Sequence, residues 1–461
     1  MIRRISKTQF DAYCYSRQPL IRMLAREVDW YEAYDKKLLG IVTLDLIDRD
    51  FGFVILGRDK RKLFRAIDIT RDFYQTPEQA TDELKIALQK YKDDNKEYYS
   101  QGDEKELPNE IFVSVAEEDK LHDYYKVLRD EARYEAARNI IKEIIYSFID
   151  IDGHYIKEFQ TSGFNARLWE LYLYVYLYNE GFEIIRKYNS PDYHLITHSQ
   201  EEVFIEDVTV NPTSSLSRPD APEPKNQDEV NELTNDYMPI KFGSPLYSKL
   251  KKEYWKLDHV RDKPLIIAIH DFHNGGSMTW SRTALQDYLY GVRLRIKEDN
   301  GSRRVTQEKI ETHSWLGKTI PSGFFTLPDS ENISAVLFNN SATIPKFNRM
   351  GKLAGLGSKD IIMFRQGYMF NPEPNAFDPI PFSMDIDSPD YQESWSDSLI
   401  MFHNPYAVNP INPDMFHTIN HVIYDVDNQN FLSINQPFHI LSSITTVLMP
   451  MKSDKEESKK A

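Results

Sequence analysis

The stretch SPDYHLITHSQEEVFIEDVTVNP, residues 190 to 212, decides the predicted fold, because it reads as a β-hairpin with an acidic residue in each strand. Asp192 follows Pro191 and opens the first strand. Glu206 lies in the second strand, where side chains alternate between two faces. Its face carries Phe204, Glu206, Val208 and Val210. A carboxylate in this apolar stripe needs a partner, since an unpaired charge is costly to bury.

The elements on either side of the hairpin can also be read from the sequence. Upstream, NARLWELYLYVYLYNEGFEII predicts a helix that ends before Gly181. Glu170 lies in the middle of this helix, among apolar and aromatic residues. Downstream, SPLYSKLKKEYWKLDHV predicts a basic helix, and KPLIIAIHDF predicts a buried strand. The predicted order is therefore helix, hairpin strands, helix, strand.

The acids Glu170, Asp192 and Glu206 are candidate metal ligands. If they converge, their oxygens supply the hard ligands that Mg²⁺ or Mn²⁺ prefers. Such an ion polarises a phosphodiester and lowers the pKa of an attacking water, so the expected chemistry is phosphodiester hydrolysis. Each acid also has a structural reading, in which Glu170 pairs with Arg167, the second acid caps a turn, and the third is partly exposed on an edge strand.

This order of elements and acids resembles the PD-(D/E)XK nuclease superfamily, the restriction-endonuclease-like fold, over residues 140 to 275. The resemblance implies a central αβββαβ core. In that core, Glu170 matches the acid of the first helix, Asp192 the Asp of the PD motif, and Glu206 the acid of the (D/E)XK strand. The resemblance implies that these three residues ligate Mg²⁺ or Mn²⁺ and act in catalysis.

The sequence departs from the family pattern at the lysine. Val208 stands two residues after Glu206, where the family places that lysine. In some members the lysine comes from the following helix, and the resemblance then points to Lys249 or Lys252, which stand three apart on one predicted helical face. A shift of one position in the strand register would exchange Glu206 for Asp207 as the ligand.

The chain divides into three predicted blocks and a tail. Residues 1–135 are predicted to form a small α+β N-terminal module with a β-meander and a helix capped by Thr76. Residues 136–290 contain the nuclease-like core, and residues 291–450 form a β-rich C-terminal module. Residues 451–461 are all polar or small and are predicted to be disordered. The predicted fold class is α/β, with the αβββαβ core between the two flanking modules.

Composition and net charge limit the cellular compartments and the binding partners that are expected for this chain. Cys14 is the single cysteine, which excludes an internal disulfide framework and a thiolate metal cluster and favours a reducing, cytoplasmic compartment. No apolar stretch approaches the roughly eighteen residues of a membrane span. The net charge of −15 opposes binding of a polyanion over the whole surface, so any nucleic-acid contact must be local. The candidate basic patches are residues 57–65, 249–256 and 346–352.

These observations predict a divalent-metal-dependent endonuclease that hydrolyses DNA, with RNA as the other substrate to test. The resemblance is compatible with a role in genome defence, with a homodimer or with a defence-system partner. A non-enzymatic alternative is a degenerate nuclease fold that serves as a nucleic-acid- or protein-binding scaffold, which Val208 and the negative net charge favour. A third reading, an unrelated hydrolase that uses His270 or His403, has no nucleophile motif behind it.

Overall fold

The computed structural model describes residues 1–104, 108–212, 224–274, 276, 279–299, 301–374 and 376–450. The predicted disordered tail, residues 451–461, lies outside the described residues. The chain mixes helices and strands in several sheets, so the α/β class is confirmed. No helix within the described residues reaches the length and apolarity needed to cross a membrane.

The chain forms two compact units, whose boundaries differ from the predicted ones after residues 135 and 290. Unit 1 contains Met1–Phe164 and Ile344–Ile361. Unit 2 contains Asn165–Thr343 and Ile362–Leu448. The division into three modules stays a prediction, because compactness alone does not say which segments fold independently.

Unit 1 is built on a five-stranded antiparallel sheet whose strands follow one another in chain order, which confirms the predicted β-meander. The helix predicted after it is also confirmed, and the Thr76 hydroxyl accepts a hydrogen bond from the Gln79 amide at 3.3 Å as its N-cap. The strands are β1 (Ile2–Ile5), β2 (Ala25–Ala33), β3 (Leu38–Asp45), β4 (Phe51–Arg58) and β5 (Phe64–Ile69). The helices are α1 (Lys7–Asp11), α2 (Ile21–Leu24), α3 (Pro77–Gln89), α4 (Asp123–Asp130), α5 (Glu135–Ser147) and α6 (Tyr155–Gln160).

Unit 2 holds four helices among the described residues and the remaining strands. The helices are α7 (Phe164–Glu180), α8 (Gln227–Glu232), α9 (Met238–Leu250) and α10 (Arg282–Tyr290). The first strands are β6 (Glu183–Ile185), β7 (Tyr193–Ile196), β8 (Glu202–Val210), β9 (Leu265–Asp271), β10 (Val292–Asp299), β11 (Ser302–Lys309), β12 (Thr312–Trp315) and β13 (Lys318–Pro321). The later strands are β14 (Ala335–Asn339), β15 (Ile362–Met369), β16 (Ile380–Asp385), β17 (Ile400–His403), β18 (Asn420–Asp425), β19 (Asn430–Ile434) and β20 (Ile440–Leu448).

The central sheet of unit 2 has eight strands in the order β19-β18-β17-β14-β9-β8-β7-β6. The predicted hairpin is confirmed as the antiparallel pair β7 and β8. β8 runs parallel to β9, and β9 runs parallel to β14. Strands that the sequence placed in the central core and in the C-terminal block therefore share one sheet.

Two helices cover opposite faces of this sheet. α7 is apolar on nearly every side and is buried, as expected for a helix without a polar face. The Trp169 indole of α7 donates a hydrogen bond to the Ala268 carbonyl of β9 at 3.2 Å. On the other face, Phe242 and Leu246 of α9 pack in one core with Phe204 and Ile267. The sheet between these helices carries the hairpin acids.

The helix α11 (Ile344–Leu353) belongs to unit 1 and packs against α5. The Asn348 amide donates to the Arg133 carbonyl at 2.9 Å, and its oxygen accepts from the Ala137 amide at 3.1 Å. The prediction of a basic surface patch at residues 346–352 is wrong, because the cations in this stretch are buried. They are Lys346, Arg349 and Lys352.

Gly351 permits the close approach of α11 to α5. A Cβ at this position would lie 2.2 Å from the Ala136 carbonyl oxygen, which is backbone and cannot rotate away. Gly351→Ala is therefore expected to lower the free energy of unfolding by about 1–3 kcal/mol, the usual range for overpacking. Urea unfolding measures this change. Gly276→Ala is the control, because its Cβ would meet only Asn274 Oδ1 at 3.5 Å, and an equal loss in both variants would contradict the steric explanation.

Candidate functional site

The hairpin brings Asp192 beside the acids of β8. Tyr193, the first residue of β7, is paired with Ile205 of β8. Asp192, just before β7, therefore lies beside Glu206. The amide of Asp207 donates a hydrogen bond to Asp192 Oδ2 at 2.7 Å. Two of the three predicted ligands therefore lie together.

Glu206 faces α9, and a lysine of that helix contacts it, although its own strand has no lysine at the position of the family motif. The Lys249 ammonium contacts Glu206 Oε1, and the Tyr254 hydroxyl donates to the same oxygen at 2.6 Å. The other oxygen, Oε2, is buried and has no hydrogen-bond partner among the described residues. Burial opposes the charge on Lys249, but the Glu206 carboxylate outweighs it, so the pKa of Lys249 is raised.

Lys252 does not share this position, and the prediction that it lies with Lys249 on one helical face is wrong. α9 ends at Leu250, and Glu253 then takes a left-handed conformation at φ 53°. A non-glycine residue rarely adopts this region, so the backbone leaves the helical path here. Lys252 is exposed and forms no ion pair among the described residues.

The pKa values of the hairpin carboxyls indicate an excess of negative charge. Burial and then the Glu206 carboxylate raise the pKa of Asp192 to about 7. Burial, Asp192 and Glu170 raise the pKa of Asp207 well above its usual value. Adjacent carboxylates disfavour ionisation of one another, and a cation in their midst would relieve that repulsion.

Glu170 lies close to this group, but two arginines hold its carboxylate. Arg167 contacts Oε2 at 2.5 Å, as in the structural reading of this acid, and Arg186 contacts Oε1 at 3.3 Å. Arg186 also donates to the Asp192 carbonyl at 2.8 Å, and the Tyr193 hydroxyl donates to the Glu170 carbonyl at 2.5 Å. Arg186 thus joins the helix acid to the hairpin, a role that no pattern in the sequence indicated.

The described residues contain no group of three or more His, Cys, Asp or Glu side chains arranged to hold a metal ion. Glu170 is paired with arginines, and one oxygen of Glu206 is taken by Lys249 and Tyr254. Asp192 and the free oxygen of Glu206 are the atoms best suited to accept a cation.

A cavity of about 370 Å³ opens at the carboxyl end of β8. Lys241 of α9 and Lys318 of β13 line it, together with Trp315 at the end of β12. Ser248 of α9 and Thr209 of β8 also line it, so the cavity is formed by the same strand and helix that carry Glu206 and Lys249. Cations and an aromatic ring at such a position suit an anionic, base-bearing substrate.

The two histidines of the alternative hydrolase reading, His270 and His403, are buried. His270 is fully buried, and its Nε2 accepts a hydrogen bond from the Ala342 amide at 3.0 Å. His403 is buried against His421, with 2.9 Å between the ring nitrogens. Burial lowers the pKa of His270 to about 3 and that of His403 to about 4. Neither ring is placed to meet a substrate, so the structure does not support a hydrolase built on them.

The remaining basic patches are partly neutralised by ion pairs within the chain. In residues 57–65, Arg58 pairs with Glu143 at 2.8 Å, and Arg65 pairs with Asp103 at 2.5 Å. In residues 249–256, Lys249 is held by Glu206. Ion pairs within the chain therefore neutralise part of the positive charge of both patches.

Comparisons with protein-family models, curated proteins and solved structures found no match to this chain.

Proposed function

We propose that the chain is a divalent-metal-dependent nuclease that hydrolyses phosphodiester bonds in DNA. The observation that carries this proposal is the contact of Lys249 with Glu206 beside Asp192. It brings an acidic pair and a lysine together on one face of the central sheet, although the lysine is missing from its usual place in the strand. The single buried cysteine, Cys14, supports a reducing compartment such as the cytoplasm.

The order of elements also supports the proposal. α7 is followed by β6, β7 and β8, then by the short helix α8, by α9 and by β9. With α8 as an additional helix, this is the αβββαβ order that the resemblance to PD-(D/E)XK nucleases implies. β8 and β9 are parallel, so the connection between them crosses one face of the sheet, where α9 lies.

The donor set fits Mg²⁺ or Mn²⁺, because hard carboxylate oxygens are available in excess of their partners. Asp192 and Glu206 would hold the ion, and Glu206 Oε2 is buried without a hydrogen bond. When bound, the ion would polarise the phosphodiester and lower the pKa of the attacking water. Lys249 would stabilise charge that develops on the phosphate oxygens. Glu170 would position Asp192 through Arg186, and its carboxylate would join the ligands only on release from the arginines.

Cleavage of single- and double-stranded DNA and of RNA with Mg²⁺ or Mn²⁺ tests this proposal. Glu206→Gln and Lys249→Met are each expected to lower the rate about 100-fold or more, the usual scale for loss of an electrostatic catalytic group. Lys252→Met is the matched control, since this lysine is close in sequence but exposed. Circular dichroism confirms that the variants fold. Absence of metal-dependent cleavage by the wild type on every substrate would contradict the proposal.

A catalytically degenerate scaffold is the second candidate. The pairing of Glu170 with two arginines favours it, because these cations occupy charge that a metal would otherwise neutralise. Val208 at the place of the motif lysine favours it as well. A scaffold would bind nucleic acid or protein equally well with Mg²⁺ and with EDTA and would leave every substrate uncut.

A further inference from the structure

Strands β10 and β11 form a two-stranded ribbon, Val292–Asp299 paired with Ser302–Lys309 over eight residue pairs. It follows directly after α10, which packs against the helix that carries Lys249. The two strands contain six Lys or Arg residues and three Asp or Glu residues, in a chain with a net charge of −15. The ribbon is thus a local basic element on an acidic protein.

The two faces of the ribbon differ in their surroundings. On the inner face, Arg303 pairs with Asp378 at 2.8 Å, and Gln307 donates to the Gln429 carbonyl at 2.7 Å. These contacts fix this face toward the rest of unit 2. Side chains alternate along each strand, so the register places another set on the opposite face, called the outer face here. This face is tied to unit 2 at its base by the Arg293–Asp287 pair and is exposed from Lys297 to Arg304. This outer face carries Arg293, Arg295, Lys297, Asp299, Ser302, Arg304, Thr306 and Glu308.

Lys297 and Arg304 stand directly opposite each other on the outer face. Both are exposed, and within the described ranges neither lies within 4 Å of a carboxylate oxygen. Like charges in directly opposed positions destabilise a sheet. The other two arginines of strand β10 on this face do have partners. Arg293 pairs with Asp287 at 2.6 Å, and Arg295 meets Glu308 at 3.3 Å in an exposed pair. The ribbon therefore holds two cations together that nothing in the described chain neutralises.

We propose that the outer face of this ribbon binds the phosphate backbone of duplex DNA. This inference rests on the proposed nuclease function and names the substrate of that site. Eight residues of β-strand span about 25 Å, and the major groove of B-DNA, roughly 12 Å wide, admits a two-stranded ribbon. The deep, narrow major groove of A-form RNA does not. The shape of the element thus selects duplex DNA over duplex RNA, and the cations supply the attraction.

The test is the affinity for a short DNA duplex, measured in EDTA so that no cleavage occurs. Lys297→Gln with Arg304→Gln is expected to weaken binding about tenfold or more and to reduce the salt slope of log K by about two, since two phosphate contacts are lost. The control is Lys90→Gln with Lys92→Gln, which removes the same charge from exposed positions in unit 1. The ribbon variant should melt no earlier than the wild type, because the substitution removes a repulsion.

The same variants, tested on duplex RNA and on single-stranded DNA, complete the experiment. Equal losses in the ribbon and control variants would overturn the inference, because they would show an effect of net charge alone. Equal effects on duplex DNA and duplex RNA would overturn the groove assignment. DNA binding that depends on the ribbon, without metal-dependent cleavage, would support the proposed binding surface and contradict the proposed nuclease activity. If the ribbon variant cleaves DNA and binds it as well as the wild type does, the proposed binding surface is contradicted and the proposed nuclease activity is not.

Discussion

Asp192→Asn is expected to raise the free energy of unfolding at pH 8 by on the order of 2–4 kcal/mol, and by progressively less toward pH 4, in metal-free protein. The folded chain holds the proton of Asp192 up to a pKa of about 7, because burial and Glu206 disfavour its ionised form. The unfolded chain releases that proton near the ordinary value of about 4. Stability is therefore lost as the pH rises from about 4 to about 7, and asparagine, which cannot ionise, avoids this loss.

Urea unfolding at several pH values in EDTA measures the effect. Asp48→Asn is the control, since Asp48 is exposed and its substitution should change stability little at any pH. A wild-type stability that does not fall between pH 5 and pH 8 relative to Asp192→Asn would contradict the placement of Asp192 among buried carboxylates. If Asp192 ligates the ion as proposed, addition of Mg²⁺ at pH 8 should stabilise the wild type and leave Asp192→Asn nearly unchanged, because asparagine lacks the charge that would hold the ion in the folded state.

Arg365→Met is expected to lower the free energy of unfolding by about 3–5 kcal/mol, the range for breaking a buried ion pair from one side. Arg365 in β15 is fully buried and contacts Glu393 at 3.1 Å, and both side chains are almost without exposure. It also donates to the Ser443 hydroxyl at 3.0 Å. Methionine fills similar volume but removes the Arg365 cation from beside the buried Glu393 carboxylate.

Two further variants separate the charge from the packing. Arg365→Met with Glu393→Met removes both charges and is expected to be more stable than Arg365→Met alone. Arg261→Met breaks an exposed pair with Asp258 and is expected to change stability by about 1 kcal/mol or less. Thermal and urea unfolding report all three. A double variant less stable than the single one would show that Arg365 acts through packing and not through charge.

The sequence predicted the local elements of the core because their signals are local. Apolar residues at helical spacing, followed by Gly181, predict α7 and its end, and in the structure Gly181 takes the left-handed conformation. The alternation around Glu206 predicts a strand with that acid facing apolar neighbours. The juxtaposition of Asp192 with Glu206 then follows from the hairpin register.

Other features depend on residues that are distant along the chain. Nothing near Arg186 indicated that it would reach Glu170, and nothing in residues 346–352 showed that the cations of this stretch would be buried. The end of α9 was misplaced, because Leu250 and the residues after it continue a helical pattern until Glu253 turns left-handed. β9 and β14 pair in one sheet, although the sequence analysis placed them in different blocks of the chain.

The position of α11 also has a consequence for synthesis on the ribosome. Unit 1 draws one of its helices from residues 344–353, after five of the eight strands of the central sheet of unit 2 have been translated. Until then α5 lacks its partner, and a nascent chain exposes the apolar side that α11 later covers. That side includes Ala136 and Ala137. Vectorial folding of the N-terminal part cannot finish before residue 353 leaves the exit tunnel, so a fragment that stops earlier is expected to aggregate or to recruit chaperones.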